Sequence, residues 1–165
     1  MSKLKHKQQQ YTALLEPLLA QAGAYARSIL RHRHDAEDAV QQAALKGMER
    51  IGSFDSARCF KGWWFAVLRN CCIDILRSTE SQQRNLLKYD QPSRASSSHE
   101  EPWQHLSIAM ERLSLDHCAV LKLRYFADLS YAELAEALAI PQGTVMSRLH
   151  LARRALALQI GKDLI

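Results

Sequence analysis

The segment "CFKGWWFAVLRNCCIDILRS", about residues 59 to 79, carries apolar side chains around nearly the whole circumference of a helix. Phe60, Trp63, Val67 and Cys71 define one side, and Phe65, Cys72 and Leu76 lie on another. Such a helix is either central in a bundle or keeps part of its apolar surface for a partner. The core reading favours Trp63 and Val67, whereas the pattern leaves Trp64 and Phe65 open.

Other helices must surround it, because nothing in the chain reads as a strand. Glycines (6) and prolines (4) are few among 165 residues, and no stretch alternates apolar and polar residues with period two. The expected class is all-α. A first helix is predicted over about 9 to 31, where Leu14, Leu18, Ala22, Tyr25 and Ile29 recur at three- and four-residue steps. Asp35 then has the place of a cap for a second helix, about 36 to 51. That helix has an inner stripe of small residues (Ala36, Val40, Ala44, Gly47, Ile51), while Asp38, Gln41, Gln42, Leu45 and Glu49 project opposite. Leu45 is an apolar residue in a polar face, either a scattered surface leucine or a docking point for another protein.

From about 80 to 101 the chain becomes polar and serine-rich, "ESQQRNLLKYDQPSRASSSHEE", and reads as a flexible linker. Two small helical domains are thus expected, residues 1–80 and 102–165, with 81–101 between them. In the second, Ser114 is placed to cap one helix, and Ser130 and Glu133 have the spacing of a capping box on the next. Leu134 and Leu138 face inward. After the turn Ala139-Ile140-Pro141 a last helix begins near Gln142, giving helix, short turn, helix.

On this last helix Val145, Leu149, Ala152 and Leu156 form the core stripe. Opposite lie Gly143, Ser147, His150 and Arg154, flanked by Thr144, Met146 and Leu151, with Arg148 and Arg153 at the margins of the stripe. A small polar face with basic shoulders suits a DNA major groove: short side chains reach base edges while marginal arginines reach phosphates. The competing reading is a solvated face with no ligand. A net charge of +5 and a pI near 9.2 favour a polyanionic partner, weakly, since many enzymes are equally basic.

Four cysteines, without a C-x-x-C, spell neither a zinc ribbon nor a disulfide framework, and are read as reduced thiols packed as small hydrophobes. The basic start "MSKLKHKQQQ" is followed by no apolar run, and no stretch approaches the length of a membrane span. A soluble cytoplasmic protein without membrane insertion is expected, with no cofactor and no metal.

The residues together resemble an extracytoplasmic-function (ECF) sigma factor of the sigma-70 family, the promoter-recognising subunit of bacterial RNA polymerase. "DAEDAVQQAALKGMERI" is similar to that family's region 2.2, "FKGWWFAVLRNCCIDILR" to regions 2.3 and 2.4, and "LRYFADLSYAELAEALAIPQGTVMSRLHLARR" to region 4. The resemblance implies docking on the beta-prime clamp helices of core polymerase through Asp38, Gln41 and Gln42, the face that also carries Leu45 and Glu49. It implies opening of the minus-10 promoter element and capture of a flipped base under the loop "FDSARCF". The matching positions are Phe54, Asp55, Ser56 and Arg58 in the loop, Asn70 behind it, and Lys61, Arg69 and Arg77 near the strand's phosphates. It also implies a last helix in the minus-35 major groove, resting on the beta flap, with Thr144, Met146, Ser147, Arg148, His150, Leu151 and Arg154 as contacts. Met146 and Leu151 stand where relatives often have Arg or Lys, and Trp64 where leucine is common. An anti-sigma partner is expected from the family.

Two other classes compete. "HRHD" offers His32, His34 and Asp35, which resembles part of a metal-dependent phosphohydrolase, but the other histidines form no supporting pattern, and the chain is not read as an enzyme. A stand-alone helix-turn-helix regulator would leave the first 80 residues and the linker unexplained.

Overall fold

A computed structural model describes residues 2–86 and 101–163. Eight α-helices and two 3-10 turns are found, and no strand, among the described residues. The helices are α1 (Ser2–Leu15), α2 (Leu19–Ile29), α3 (Arg33–Arg50), α4 (Phe60–Leu86), α5 (Glu101–Glu111), α6 (Leu115–Tyr125), α7 (Tyr131–Leu138) and α8 (Gln142–Asp163).

The single helix expected over 9 to 31 is two helices. A 3-10 turn, Glu16–Leu18, interrupts it at Pro17, whose missing N–H and ring bulk cannot continue the α-helical ladder. Leu14 is consequently exposed, and Tyr11 and Leu15 are the buried residues of α1. Nor is Asp35 a cap: α3 starts at Arg33, with His32 at the cap position making no side-chain hydrogen bond, and Asp35 lies in the first turn. A carboxylate there still meets the positive end of the helix dipole.

Helix α3 packs on α4 and α2, and its buried residues are Ala36, Ala39, Ala43 and Gly47. This inner stripe is set slightly around the helix from the expected one, since Val40 and Ala44 are half-buried. At Gly47 it is α1 that comes close to α3, through Tyr11. A Cβ there would overlap the Tyr11 hydroxyl and lie 3.0 Å from its ring carbon Cζ. That hydroxyl donates to the carbonyl of Ala44 (2.8 Å) and accepts from the Trp64 indole N–H (3.0 Å), so one group ties α1, α3 and α4 together.

The open question about α4 resolves against the simplest expectation. Trp64 and Phe65 are fully buried and Val67 is buried, but Trp63 is only half-buried, in contact with Phe54. Phe65 meets Tyr25 edge-on at 5.8 Å, and burial pushes the Tyr25 phenol far up from its usual range. Helix α4 also runs to Leu86, six residues into the stretch expected to be linker. The remainder of that stretch, residues 87–100, lies outside the described residues.

The C-terminal helices follow the sequence closely. Ser114 caps α6 by accepting from the His117 N–H. Ser130 and Glu133 form the full capping box on α7: the serine accepts from the Glu133 N–H, and the carboxylate accepts from the Ser130 N–H at 2.7 Å. Helix α7 ends with Ala139 in the left-handed region (φ 53°), where the Ala139 and Ile140 N–H groups reach back to Glu136 and Ala135. Val145, Leu149 and Ala152 are buried on α8 and pack against α6, with Leu156 half-buried. A single apolar cluster runs from Tyr11 to Ala152, because α7 packs on α4 and α6 touches α2.

Candidate polymerase and nucleic-acid interfaces

Helix α3 turns Gln41, Gln42, Leu45 and Glu49 to solvent, with Asp38 half-buried beside them. Leu45 is 64% exposed. Met48, one turn further, is exposed as well, so the apolar spot is larger than one side chain. Sequence reasoning passed over Met48 although its i+3 spacing from Leu45 puts it on the adjoining ridge.

The loop before α4 is held from within. The Asp55 carboxylate accepts from the Ala57 N–H at 2.9 Å, an Asx-type turn, and Phe54 lies 4.8 Å from the Trp63 ring and 5.8 Å from Phe60. Ser56 is exposed. Beyond it the expected minus-10 residues divide between faces. Asn70 and Arg77 are exposed and follow Trp63 at seven-residue steps, so they share the side of α4 on which Phe54 packs. Arg69 is half-buried, close enough to Tyr25 for its charge to favour the phenolate against the larger effect of burial.

Arg58 and Lys61 point instead to the C-terminal helices. Arg58 is ion-paired with Glu136 of α7, and Lys61 donates to the carbonyl of Asp128 at 2.9 Å. Between them the Cys59 thiol faces Glu133 (3.9 Å). These partners were not foreseen, and no local pattern announces them, because each pair is separated by more than sixty residues.

On α8 the outer face is as drawn from the helical projection: Thr144, Met146, Ser147, His150, Leu151 and Arg154 are all exposed. Met146 (54%) and Leu151 (52%) are the apolar members. Ser147 turns its hydroxyl back to the carbonyls of Gly143 and Thr144. The shoulders differ from expectation, because both arginines are engaged with α6. Arg148 pairs with Asp116 at 3.4 Å, and Arg153 donates to the Tyr125 hydroxyl at 2.9 Å with its guanidinium over that ring. Arg154 is left as the exposed cation of the outer face.

Among the described residues no group of three or more His, Cys, Asp or Glu is placed to hold a metal ion, and the "HRHD" side chains do not converge with others. No described helix is long and apolar enough to cross a membrane. Burial raises the Cys72 thiol to about 12 and moves Cys71 in the same direction, so these two are packed as neutral groups.

Comparison with known proteins decides what carries these faces. Residues 14–82 match the sigma-70 region 2 family and residues 107–156 the sigma-70 region 4 family. Over 158 residues the chain is 32% identical to the ECF RNA polymerase sigma factor SigL of Mycobacterium tuberculosis, covering 90% of this chain and 87% of SigL. The chain belongs to the ECF sigma factors.

The ECF sigma factor SigW of Bacillus subtilis is 29% identical over 147 residues, 80% of this chain and 79% of SigW. Two solved structures share the fold. CnrH, in complex with the cytosolic domain of CnrY, aligns with a TM-score of 0.71 at 20% identity, over 94% of this sigma factor and 90% of CnrH. RpoE of Bartonella quintana, in complex with the anti-sigma factor NepR, aligns at 0.67 and 23% identity, over 93% and 98%. In this sigma factor the region 2 match spans the end of α1 through most of α4, and the region 4 match spans the second half of α5 through α8 up to Leu156. The contact between α4 and α7 is therefore a contact between the two sigma regions.

Proposed function

We propose that this sigma factor docks on the beta-prime clamp helices of core polymerase through the outer face of α3, with Leu45 and Met48 as apolar anchors among Asp38, Gln41, Gln42 and Glu49. Helix α8 then enters the minus-35 major groove, and the beta flap supports region 4. The observation that carries this reading is the clean division of α8: Val145, Leu149 and Ala152 are buried, while Thr144, Met146, Ser147, His150, Leu151 and Arg154 all face outward from the second helix of a capped helix-turn-helix. The short polar residues reach base edges, and Met146 and Leu151 favour thymine methyl groups. Arg154 reaches a phosphate, and Arg148 joins it on release from Asp116.

At the minus-10 element the exposed face of α4 presents Asn70 to a flipped base. Its amide supplies both a donor and an acceptor to the Watson–Crick edge. Phe54 and the turn at Asp55 and Ser56 form the adjacent wall, and Arg58, Lys61, Arg69 and Arg77 meet phosphates of the opened strand. Catalysis stays with the polymerase, so the sigma factor is not itself an enzyme, and its compartment is that of its partner, the cytoplasm. An anti-sigma factor is expected to hold it inactive, in keeping with RpoE of Bartonella quintana, which was co-crystallised with the anti-sigma factor NepR.

The test is transcription in vitro. Added to core polymerase on its own genomic DNA, the sigma factor should yield transcripts from defined start sites that core enzyme alone does not make. Absence of such transcripts would sink the reading. A footprint on duplex DNA without polymerase would favour a stand-alone regulator.

A further inference from the structure

Tyr125, the last residue of α6, is 61% exposed and takes no part in the apolar cluster. What it touches is Arg153. The guanidinium lies over the tyrosine ring, 5.9 Å from its centroid, and donates through Nε to the hydroxyl at 2.9 Å. Tyr131, the first residue of α7, is close enough to favour the same charge. Two tyrosines from two other helices thus attend one exposed arginine of α8.

At ~100° per residue, Arg153 falls on the flank of α8 that carries Met146 and His150, and Arg148 on the flank that carries Thr144 and Leu151. The two flanks are held by chemically different partners. Arg148 is paired with a carboxylate, that of Asp116, so a phosphate must displace an anion to reach it. Arg153 is held by a neutral hydroxyl and a ring face, which orient a cation without cancelling its charge. The hydrogen bond to Tyr125 uses Nε, and the two terminal nitrogens of the fork carry the remaining N–H groups.

An α-helix ~10–12 Å across nearly fills a major groove ~12 Å wide, so its flanks meet the phosphates of the groove walls. In a helix-turn-helix the first helix crosses that backbone, which brings the start of α7, and with it Tyr131, to the wall that Arg153 faces.

We propose that Arg153 is a phosphate contact of the minus-35 complex and that Tyr125 is its positioning residue, holding the guanidinium in the bound orientation before DNA arrives. This rests on the minus-35 reading of α8. The gain is one of preorganisation. Ordering a long side chain only on binding costs about two- to tenfold in affinity, and a side chain already ordered is spared most of that. Position and charge are therefore separable: loss of Tyr125 should weaken binding without changing the number of phosphates contacted, whereas loss of Arg153 should remove one.

The experiment uses the full chain bound to core polymerase, with a duplex that carries the minus-35 element of a promoter mapped by its transcript start and ends upstream of the minus-10 element. Affinity is measured against salt concentration for Arg153→Ala, Arg153→Lys, Tyr125→Phe, Tyr125→Ala and the double variant of Tyr125→Phe with Arg153→Ala. Arg153→Ala should reduce the salt slope by about 1. Tyr125→Phe, which keeps the ring, should weaken binding about twofold, and Tyr125→Ala about fivefold, both with the slope unchanged. Arg153→Lys should also keep the slope and bind more weakly, because an ammonium retains the charge but cannot be held as a planar fork. In the Arg153→Ala background, Tyr125→Phe should have no further effect.

An unchanged slope for Arg153→Ala would overturn the phosphate contact. If that slope falls but the Tyr125 variants bind as tightly as the unmodified chain, the positioning role is overturned. A Tyr125→Phe effect that persists without Arg153 would overturn it too, since Tyr125 would then act on the DNA by itself. In each of these cases the minus-35 reading stands as long as scrambling the element weakens binding by the unmodified chain; if scrambling has no effect, the reading fails and the proposal falls with it.

Discussion

Gly47→Ala should destabilise the sigma factor although alanine is the better helix former. On helix propensity alone the change gains ~1 kcal/mol. Against this, the new methyl group overlaps the Tyr11 hydroxyl, which must leave its seat. Its bond to the Ala44 carbonyl is then lost, at a cost of ~1 kcal/mol, and the Trp64 indole N–H remains buried without a partner, at ~1–3 kcal/mol. The net loss is ~1–3 kcal/mol, which for a chain of this size lowers the melting temperature by roughly 2–4 °C per kcal/mol. The decisive measurement is the double-mutant cycle with Tyr11→Phe, followed by urea unfolding and near-UV circular dichroism. Tyr11→Phe loses the same two hydrogen bonds and removes the overlapping oxygen, leaving ring carbons at 3.0 and 3.1 Å that need give only a few tenths of an ångström, so adding Gly47→Ala in that background should cost less. The coupling is expected at ~2 kcal/mol. Additivity within ~0.5 kcal/mol, or a stabilising Gly47→Ala single variant, would refute the role given to this hydroxyl.

Other outcomes follow from the same geometry. Ala139→Gly should stabilise region 4 by ~1 kcal/mol, because the left-handed conformation at φ 53° penalises a Cβ, and a lower melting temperature would contradict this. Asn70→Ala should reduce permanganate reactivity of the opened promoter with core binding intact; weakened core binding would show that Asn70 acts elsewhere. Arg154→Ala should reduce the salt slope of minus-35 binding by about 1, and an unchanged slope would remove its phosphate contact. In a thiol titration of the native protein near pH 8, Cys71 and Cys72 should stay silent until unfolding. Both are fully buried, and the Cys72 thiol, raised to about 12, is still protonated there.

Local signals were legible where a residue's role is settled within a few positions of chain. Ser114, the Ser130–Glu133 box and the start of α8 at Gln142 depend on groups three residues apart, and all are found as read. The α8 stripe is similarly plain, because a helix with one buried face writes its orientation as a period. Helix α4 has no such period. Its apolar residues surround the axis, so the pattern favoured Trp63 for the core over Trp64 and was wrong; the answer came from the Tyr11 hydroxyl, which offers the Trp64 N–H a buried partner that a solvent-facing position would not need.

The candidate sites were legible to the extent that they are single faces. Gln41, Gln42, Leu45 and Glu49 on α3, and the outer residues of α8, emerge on the sides that the projection gave them. Arg58, Lys61, Arg148 and Arg153 were read as free cations, and each is engaged by a group on another helix. Charge is visible in a sequence, but its neutralisation is a tertiary property.

The central position of α4 also bears on how the chain comes to be folded. Helices α2 and α3 offer small residues and one face each, and the surface that covers them, Trp64, Phe65, Leu68, Cys71 and Cys72, is encoded after them. During synthesis at ~5–20 residues per second, the first fifty or so residues spend several seconds outside the ribosome without that surface. A nascent chain stalled before Trp64 should lack a cooperative core. One stalled so that all of α4 has emerged should already have the region 2 fold, before region 4 has emerged to touch it.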